Sequence, residues 1–252
     1  MTDKYFEDKF YEDFVAACYQ VDRRKILRPS AFLDLAQHMA VFGADKLSFG
    51  DAQLGPYGCT WVLARQHVRF ERPVMHKEPC RVLTWHKGMQ GIYFIRDYQI
   101  LGADGQPAIN STSSWVVMNI AERRLVRGDF LSEIVSTEPQ SRDFAIEEQA
   151  GKVAVPRGTE LSLIGTHKVL YSDVDYNQHA NNVKYTVWAM DALPEELVNE
   201  KMVKELTINF TREARPGETV ELWHVMDADG AHVIEGRVED HQVFIEKLLF
   251  EA

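Results

Sequence analysis

The strongest constraint on this chain is an order of elements that occurs twice. A helical pattern opening at Pro29 and Ser30 sets Phe32, Leu35, Ala36, Met39 and Phe42 on one face. Strand-like runs follow at 60–70, 80–86, 92–101 and 109–119, with ADGQ at 103–106 reading as a hairpin turn. From about residue 160 the order returns: a strand-like HKVLYS, a helix from 181 or 182 to 192, then runs at 205–210, 219–225, 232–239 and 243–250. Local wording repeats as well, FERP at 70–73 with FTREARPGE at 210–218, and VLTW at 82–85 with VELW at 220–223.

Two units of one helix and one antiparallel meander predict an α+β chain in which a curved sheet wraps a central helix, made twice. Each such sheet has exposed edges, and pairing the units side by side into one continuous sheet would cover one edge of each. Gly128 to Gly158 mixes charged, Ser, Pro and Gly residues without periodicity, as a linker crossing the surface does. The expected division is therefore residues 1–130, a linker at 131–158, and residues 159–252.

Composition excludes several classes. With 45% hydrophobic and 26% charged residues the chain reads as folded and globular. A formal charge of −10 argues against general nucleic-acid binding. No run of about 18 apolar residues predicts a membrane span. The start, MTDKYFEDKFYEDF, is too acidic and too broken in hydropathy for a secretory or transit leader, so a cytoplasmic protein is expected. Cys18, Cys59 and Cys80 are odd in number and lack CxxC spacing, which points to reduced packing residues. Neither a metal nor a cofactor is expected.

Chemistry concentrates in residues 172–188, SDVDYNQHANNVKYTVW, where Asp173, Asp175, Asn177, His179, Asn181 and Asn182 lead directly into an apolar helix. In an extended stretch residues two apart share a side, so Asp175, Asn177 and His179 would present a carboxylate, an amide and an imidazole together. Acyl transfer uses such groups. Asp and Asn are also favoured at turns and helix N-caps, which is the better account of Asn181 and Asn182 and leaves the other three open on composition alone.

The segment resembles the signature of plant and bacterial acyl-acyl carrier protein thioesterases, in which an Asp-x-Asn-x-His run precedes Asn-Asn-Val-Lys-Tyr and a Trp. GIYFIRDYQI at 91–100, INSTSSWVVMNIAERRLVR at 109–127 and INFTREARPGE at 208–218 resemble that family too, so the likeness reaches both halves. It implies a tandem (double) hotdog fold and a thiolester hydrolase that releases free fatty acid from acyl carrier protein and ends chain elongation. It also implies Asp175, Asn177, His179 and Glu213 as the catalytic set. On local text Glu213 would be a solvated acid beside Arg212 and Arg215, and only the resemblance singles it out. Some members have a cysteine after that glutamate; here the position is Ala214, so no thiol acts there.

A carboxylate route then follows, with Glu213 as general base on water and Asn177 and His179 orienting the thioester and holding the oxyanion. Asp175 either attacks the acyl carbon or only orients its neighbours. Asp173, Asn181, Asn182, Lys184 and Tyr185 are expected to support the loop and helix, and Trp188, Val183, Val187 and Met190 to fill the core. By the same resemblance the first half, which lacks an Asp-x-Asn-x-His run, supplies the acyl tunnel from residues such as Phe32, Leu35, Met39, Trp61 and Trp115.

The acidic carrier protein needs a local positive face, and two clusters offer one: Arg23, Arg24, Lys25 and Arg28, and Arg123, Arg124 and Arg127. Each is equally an ordinary solvated charge run. Two fused units let one chain complete the fold, and further pairing into a homodimer stays open. An acyl-coenzyme A thioesterase, another hotdog thioester enzyme such as a dehydratase, and a non-catalytic acyl-chain binding module are the competing readings.

Overall fold

Helix α1 (Pro29–Lys46) begins with proline at its first turn, where a missing N–H costs nothing. Its apolar face, Phe32, Ala36, Met39, Ala40 and Gly43, recurs at helical spacing and is buried against strands β3 (Pro79–Gln90) and β4 (Tyr93–Leu101). The computed structural model describes residues 8–126 and 129–251 of the chain.

Strands β1 (Phe10–Val15), β2 (Cys59–Phe70), β5 (Pro107–Asn119) and the two-residue β6 (Arg124–Leu125) complete the first half, with α2 (Asp51–Leu54) between α1 and β2. A short helix, α3 (Asp129–Ile134), follows β6. In the second half β7 (Ser162–Lys168) precedes α4 (Asn182–Ala192) and α5 (Glu195–Glu200), and then β8 (Val203–Phe210), β9 (Thr219–Met226), β10 (His232–Val238) and β11 (His241–Phe250). The order seen in the sequence is present twice. β1 is an addition at the sheet edge, its side chains alternating between half-buried (Phe10, Glu12, Phe14) and exposed (Tyr11, Asp13, Val15): it pairs antiparallel with β3 from Phe10 opposite Thr84 to Val15 opposite Pro79.

The eleven strands of the described residues form one antiparallel sheet in the order β1-β3-β4-β5-β2-β8-β11-β10-β9-β7, with β6 on β5. The halves meet where β2 pairs with β8, from Arg65 opposite Asn209 to Arg69 opposite Glu205. Each half thereby covers an edge of the other. Helices α1 and α4 lie side by side under the sheet, and a single core of Phe32, Met39, Tyr98, Tyr185, Trp188, Leu206 and Phe244 runs between them.

The segment joining the halves takes the opposite face. Val82 points to the helices, while Leu83 and Trp85 alternate away from them. There Trp85 Nε1 donates to the Asp143 carbonyl at 2.8 Å and Lys87 Nζ to the Ile146 carbonyl at 2.8 Å. The Asp97 carboxylate accepts the Ala145 N–H at 2.8 Å, and Asn209 bonds both Val153 N–H (2.7 Å) and the Gly151 carbonyl (2.9 Å). Gly88 allows this crossing: its φ is +84°, and a Cβ there would sit 2.9 Å from the Thr137 carbonyl oxygen. No helix of the described residues is long and apolar enough to cross a membrane, which says nothing of a β-barrel.

Candidate active site

The segment ahead of α4 is a closed turn, which corrects the extended geometry expected of it. The Asp175 N–H donates to the His179 carbonyl (3.1 Å), the Gln178 N–H to the Asp175 carbonyl (3.0 Å), and Val174 bridges Ala180. Gln178 takes the left-handed conformation that the turn needs, with φ +66°. Asp175, Asn177 and His179 meet because the chain folds back, and a period of two plays no part.

Two anchors hold the turn. Asp173 is buried, and its Oδ2 accepts from His167 Nε2 and from the Leu170 N–H, both at 2.9 Å. Burial opposes the Asp173 anion, but those hydrogen bonds outweigh it and hold its pKa below the usual carboxylate value. Asn181 is the N-cap of α4, its side-chain oxygen accepting the Val183 N–H at 3.0 Å, while its N–H donates to the Asp173 carbonyl at 2.8 Å. Asp175 ties into the same frame: Oδ1 accepts the Asn177 N–H (2.8 Å) and Oδ2 the Asn181 side-chain amide (3.4 Å).

Glu213 arrives from the loop after β8. Ala214 beside it is fully buried and fixed twice, its N–H donating to the Tyr185 hydroxyl (3.0 Å) and its carbonyl accepting the Ala180 N–H (2.8 Å). Burial pushes the Tyr185 hydroxyl up to about 12, so it stays protonated. This frame brings Glu213 Oε1 to 3.8 Å from His179 Nε2, while Arg123 donates to Oε2 at 3.0 Å. Arg123 stands in the turn between β5 and β6 of the first half. Its place beside Glu213 has no signal in local sequence, since 90 residues separate the two.

A cavity of about 430 Å³ opens on these groups. Asp175, Asn177, His179, Asn182, Tyr185 and Glu213 line it from the second half, with Tyr176, Phe210 and Arg212. The first half contributes Ala40, Val41 and Ala44 of α1, Phe49, Trp61, Leu63, Phe94, Trp115 and Met118. Trp61 and Trp115 thus border the cavity, whereas Phe32, Met39 and the partly buried Leu35 pack in the main core.

Among the other polar side chains that line it are His86 and Arg96, neither of which the sequence singles out. His86 is pushed down to about 4 by burial and by the nearby Arg96 charge, so it is neutral. Arg96 itself is buried and donates to Thr84 Oγ1 at 3.1 Å.

Of the basic clusters, Arg24 bonds Asp22 (3.1 Å) and the Lys201 carbonyl (3.0 Å), and Arg23 approaches Glu195 at 4.0 Å. Arg123 is engaged with Glu213, Arg124 is exposed in β6, and Arg127 lies outside the described residues. Cys59 and Cys80 are buried, Cys18 is exposed, and all three are free thiols.

Known proteins resemble both halves in order. Residues 7–136 match the acyl-ACP thioesterase N-terminal domain and residues 158–245 the acyl-ACP thioesterase C-terminal domain. The chain is 26% identical over 226 residues to oleoyl-acyl carrier protein thioesterase 1 of Arabidopsis thaliana, covering 84% of this chain and 62% of that protein. It is 27% identical over 231 residues to a palmitoyl-acyl carrier protein thioesterase of Cuphea hookeriana, covering 80% of this chain and 54% of that one. The chain therefore spans only part of the length of these chloroplastic relatives. Among solved structures, an acyl-ACP thioesterase from Bacteroides thetaiotaomicron superposes with a TM-score of 0.88 over 97% of this chain and 98% of its own at 21% identity. A 12:0-ACP thioesterase from Umbellularia californica gives 0.86 over 97% of both at 19% identity. Matched along both halves and sharing the double hotdog architecture, the chain belongs to the acyl-ACP thioesterase family.

Proposed function

We propose that this protein is a thiolester hydrolase that cleaves fatty acyl-acyl carrier protein to free fatty acid and the carrier thiol, a step that ends chain elongation. One observation carries this reading: Glu213, His179 and Asn177 stand together at a cavity that runs on into an apolar wall of the first half. The unit 159–252 supplies the reactive groups, 1–130 the acyl-chain wall, and 131–158 the linker.

In the reaction Glu213 takes a proton from water, and the oxygen of that water attacks the thioester carbonyl carbon. Asn177 and His179 hold the oxyanion, worth about 3 kcal/mol for each well-aimed donor. Collapse breaks the C–S bond, and the proton passes to the leaving thiolate. Asp175 orients the set, because both its oxygens are already engaged inside the turn. Labelled water in a single turnover tests that assignment: label in the Asp175 carboxylate would identify it as the nucleophile instead.

For the carrier we favour Arg124, exposed in β6 next to the cavity-lining Arg123, over the cluster at 23–28, where Arg24 is committed to Asp22 and Arg23 approaches Glu195. The deciding experiment incubates the protein, and its Glu213→Ala and His179→Ala forms, with acyl-acyl carrier proteins and acyl-coenzyme A esters of several chain lengths. Fatty acid release from the carrier, lost in both variants, is expected. Equal rates on both carriers would make it a general acyl thioesterase, and binding without release would make it a binding module.

A further inference from the structure

Arg123 is the last residue of the four-residue loop 120–123 that joins β5 to β6. The hairpin is closed by the pairs Met118 with Leu125 and Asn119 with Arg124, and Asn119 Oδ1 accepts the Glu122 N–H at 2.9 Å. Within it Arg123 adopts φ +52°, a left-handed conformation that glycine takes without steric cost and a side chain does not. Folding alone would be better served by glycine at this position. Its side chain leaves the first half, crosses to the second and donates to Glu213 Oε2 at 3.0 Å.

That contact decides which way Glu213 faces. The carboxylate is 39% exposed and stands on a short connection after β8, so its side chain has several rotamers open to it. With Oε2 on the guanidinium, Oε1 is the oxygen turned towards His179 Nε2. A water between Oε1 and the thioester carbon would then be met by the base and by the oxyanion donors from fixed directions.

We infer that Arg123 is a positioning residue for Glu213, supplied by the half of the chain that carries no reactive set of its own. The inference rests on the hydrolytic reading above and adds that the site is incomplete without the first half. Arg123 acts through Glu213 and touches no reacting atom.

The test compares the full-length protein with its Arg123→Gly and Arg123→Lys forms. Glycine removes the side chain and relieves the left-handed backbone, so Tm should hold or rise while kcat falls by up to about a hundred-fold, as misplaced catalytic groups do. KM should change little, and lysine, which keeps the charge but loses the planar fork, should restore part of the loss. An unchanged kcat in Arg123→Gly, a rise confined to KM, or a lysine form no better than the glycine one would overturn the inference. A crystal structure of Arg123→Gly gives a reading independent of turnover: Glu213 should leave its present rotamer, and a carboxylate still facing His179 would refute the role of Arg123. If wild-type protein released no fatty acid from any thioester, the hydrolytic reading would fail by itself, and the rotamer result would still decide the part played by Arg123.

Discussion

The Tyr185 hydroxyl accepts the backbone N–H of Ala214 at 3.0 Å, so the helix that follows the Asp175 turn also fixes the residue next to Glu213. Tyr185 is buried and stacks on Phe244 with ring centroids 4.9 Å apart. Tyr185→Phe keeps that stacking and leaves a buried N–H unpaired, a loss of about 1–3 kcal/mol. The denaturation midpoint should fall accordingly, and kcat should fall with it because Glu213 loses its backbone anchor. A variant of wild-type stability and rate would show that the bond fixes nothing.

Asn181 caps α4 and also donates to Asp175. Asn181→Ala is therefore expected to remove about 1 kcal/mol of stability and to lower kcat beyond what a merely loosened helix would do. Asn181→Asp separates the two roles, since an aspartate still caps but cannot donate to a carboxylate. Stability near wild type with reduced kcat is the expected outcome of urea melts and steady-state rates.

Glu246 lies fully buried under α4, where the Thr186 hydroxyl donates to its carboxyl at 3.0 and 3.1 Å, and burial raises its pKa to about 8. The folded protein thus keeps a proton that the unfolded chain releases above about pH 4.3. Stability should be full below that value and decline as pH rises towards about 8. Glu246→Gln removes the titrating group, so melting curves of the variant should match wild type near pH 4 and lie above it near pH 8.

Lys87 and Asp97 form an ion pair at 3.2 Å, both buried, beneath the joining segment, where Asp97 also accepts the Ala145 N–H. Lys87→Met strands the carboxylate, and breaking a buried pair from one side costs about 3–5 kcal/mol. Limited proteolysis should then cut within residues 137–150 faster than in wild type. An unchanged cleavage rate would mean that the segment is held elsewhere.

Local sequence carries local geometry well. The α1 stripe of Phe32, Ala36 and Met39 and the strand runs around Val82, Tyr98 and Val117 were legible because helical and alternating periods are written in neighbouring residues. The Asp175 turn was not, because one left-handed residue, Gln178, reverses a stretch that reads as extended, and glutamine gives no warning of it. β1 was not legible as a strand because FYEDFV places its two acids side by side and so shows no alternating period in sequence, although its burial alternates once it lies on β3. Ion pairs such as Arg123 with Glu213 lie beyond any periodicity, since the two-strand junction of β2 and β8 sets them side by side. Arg96 shows the same limit: a buried guanidinium reads in sequence as any surface arginine.

That junction has one more effect. Two separate subunits docked along the β2 and β8 edges would be in equilibrium with free monomers, and their folded fraction would depend on protein concentration. Carried on one polypeptide, the two edges meet as an intramolecular event whose effective concentration is set by the tether and not by the solution. The carboxylate from one half and the guanidinium from the other therefore remain together at any dilution.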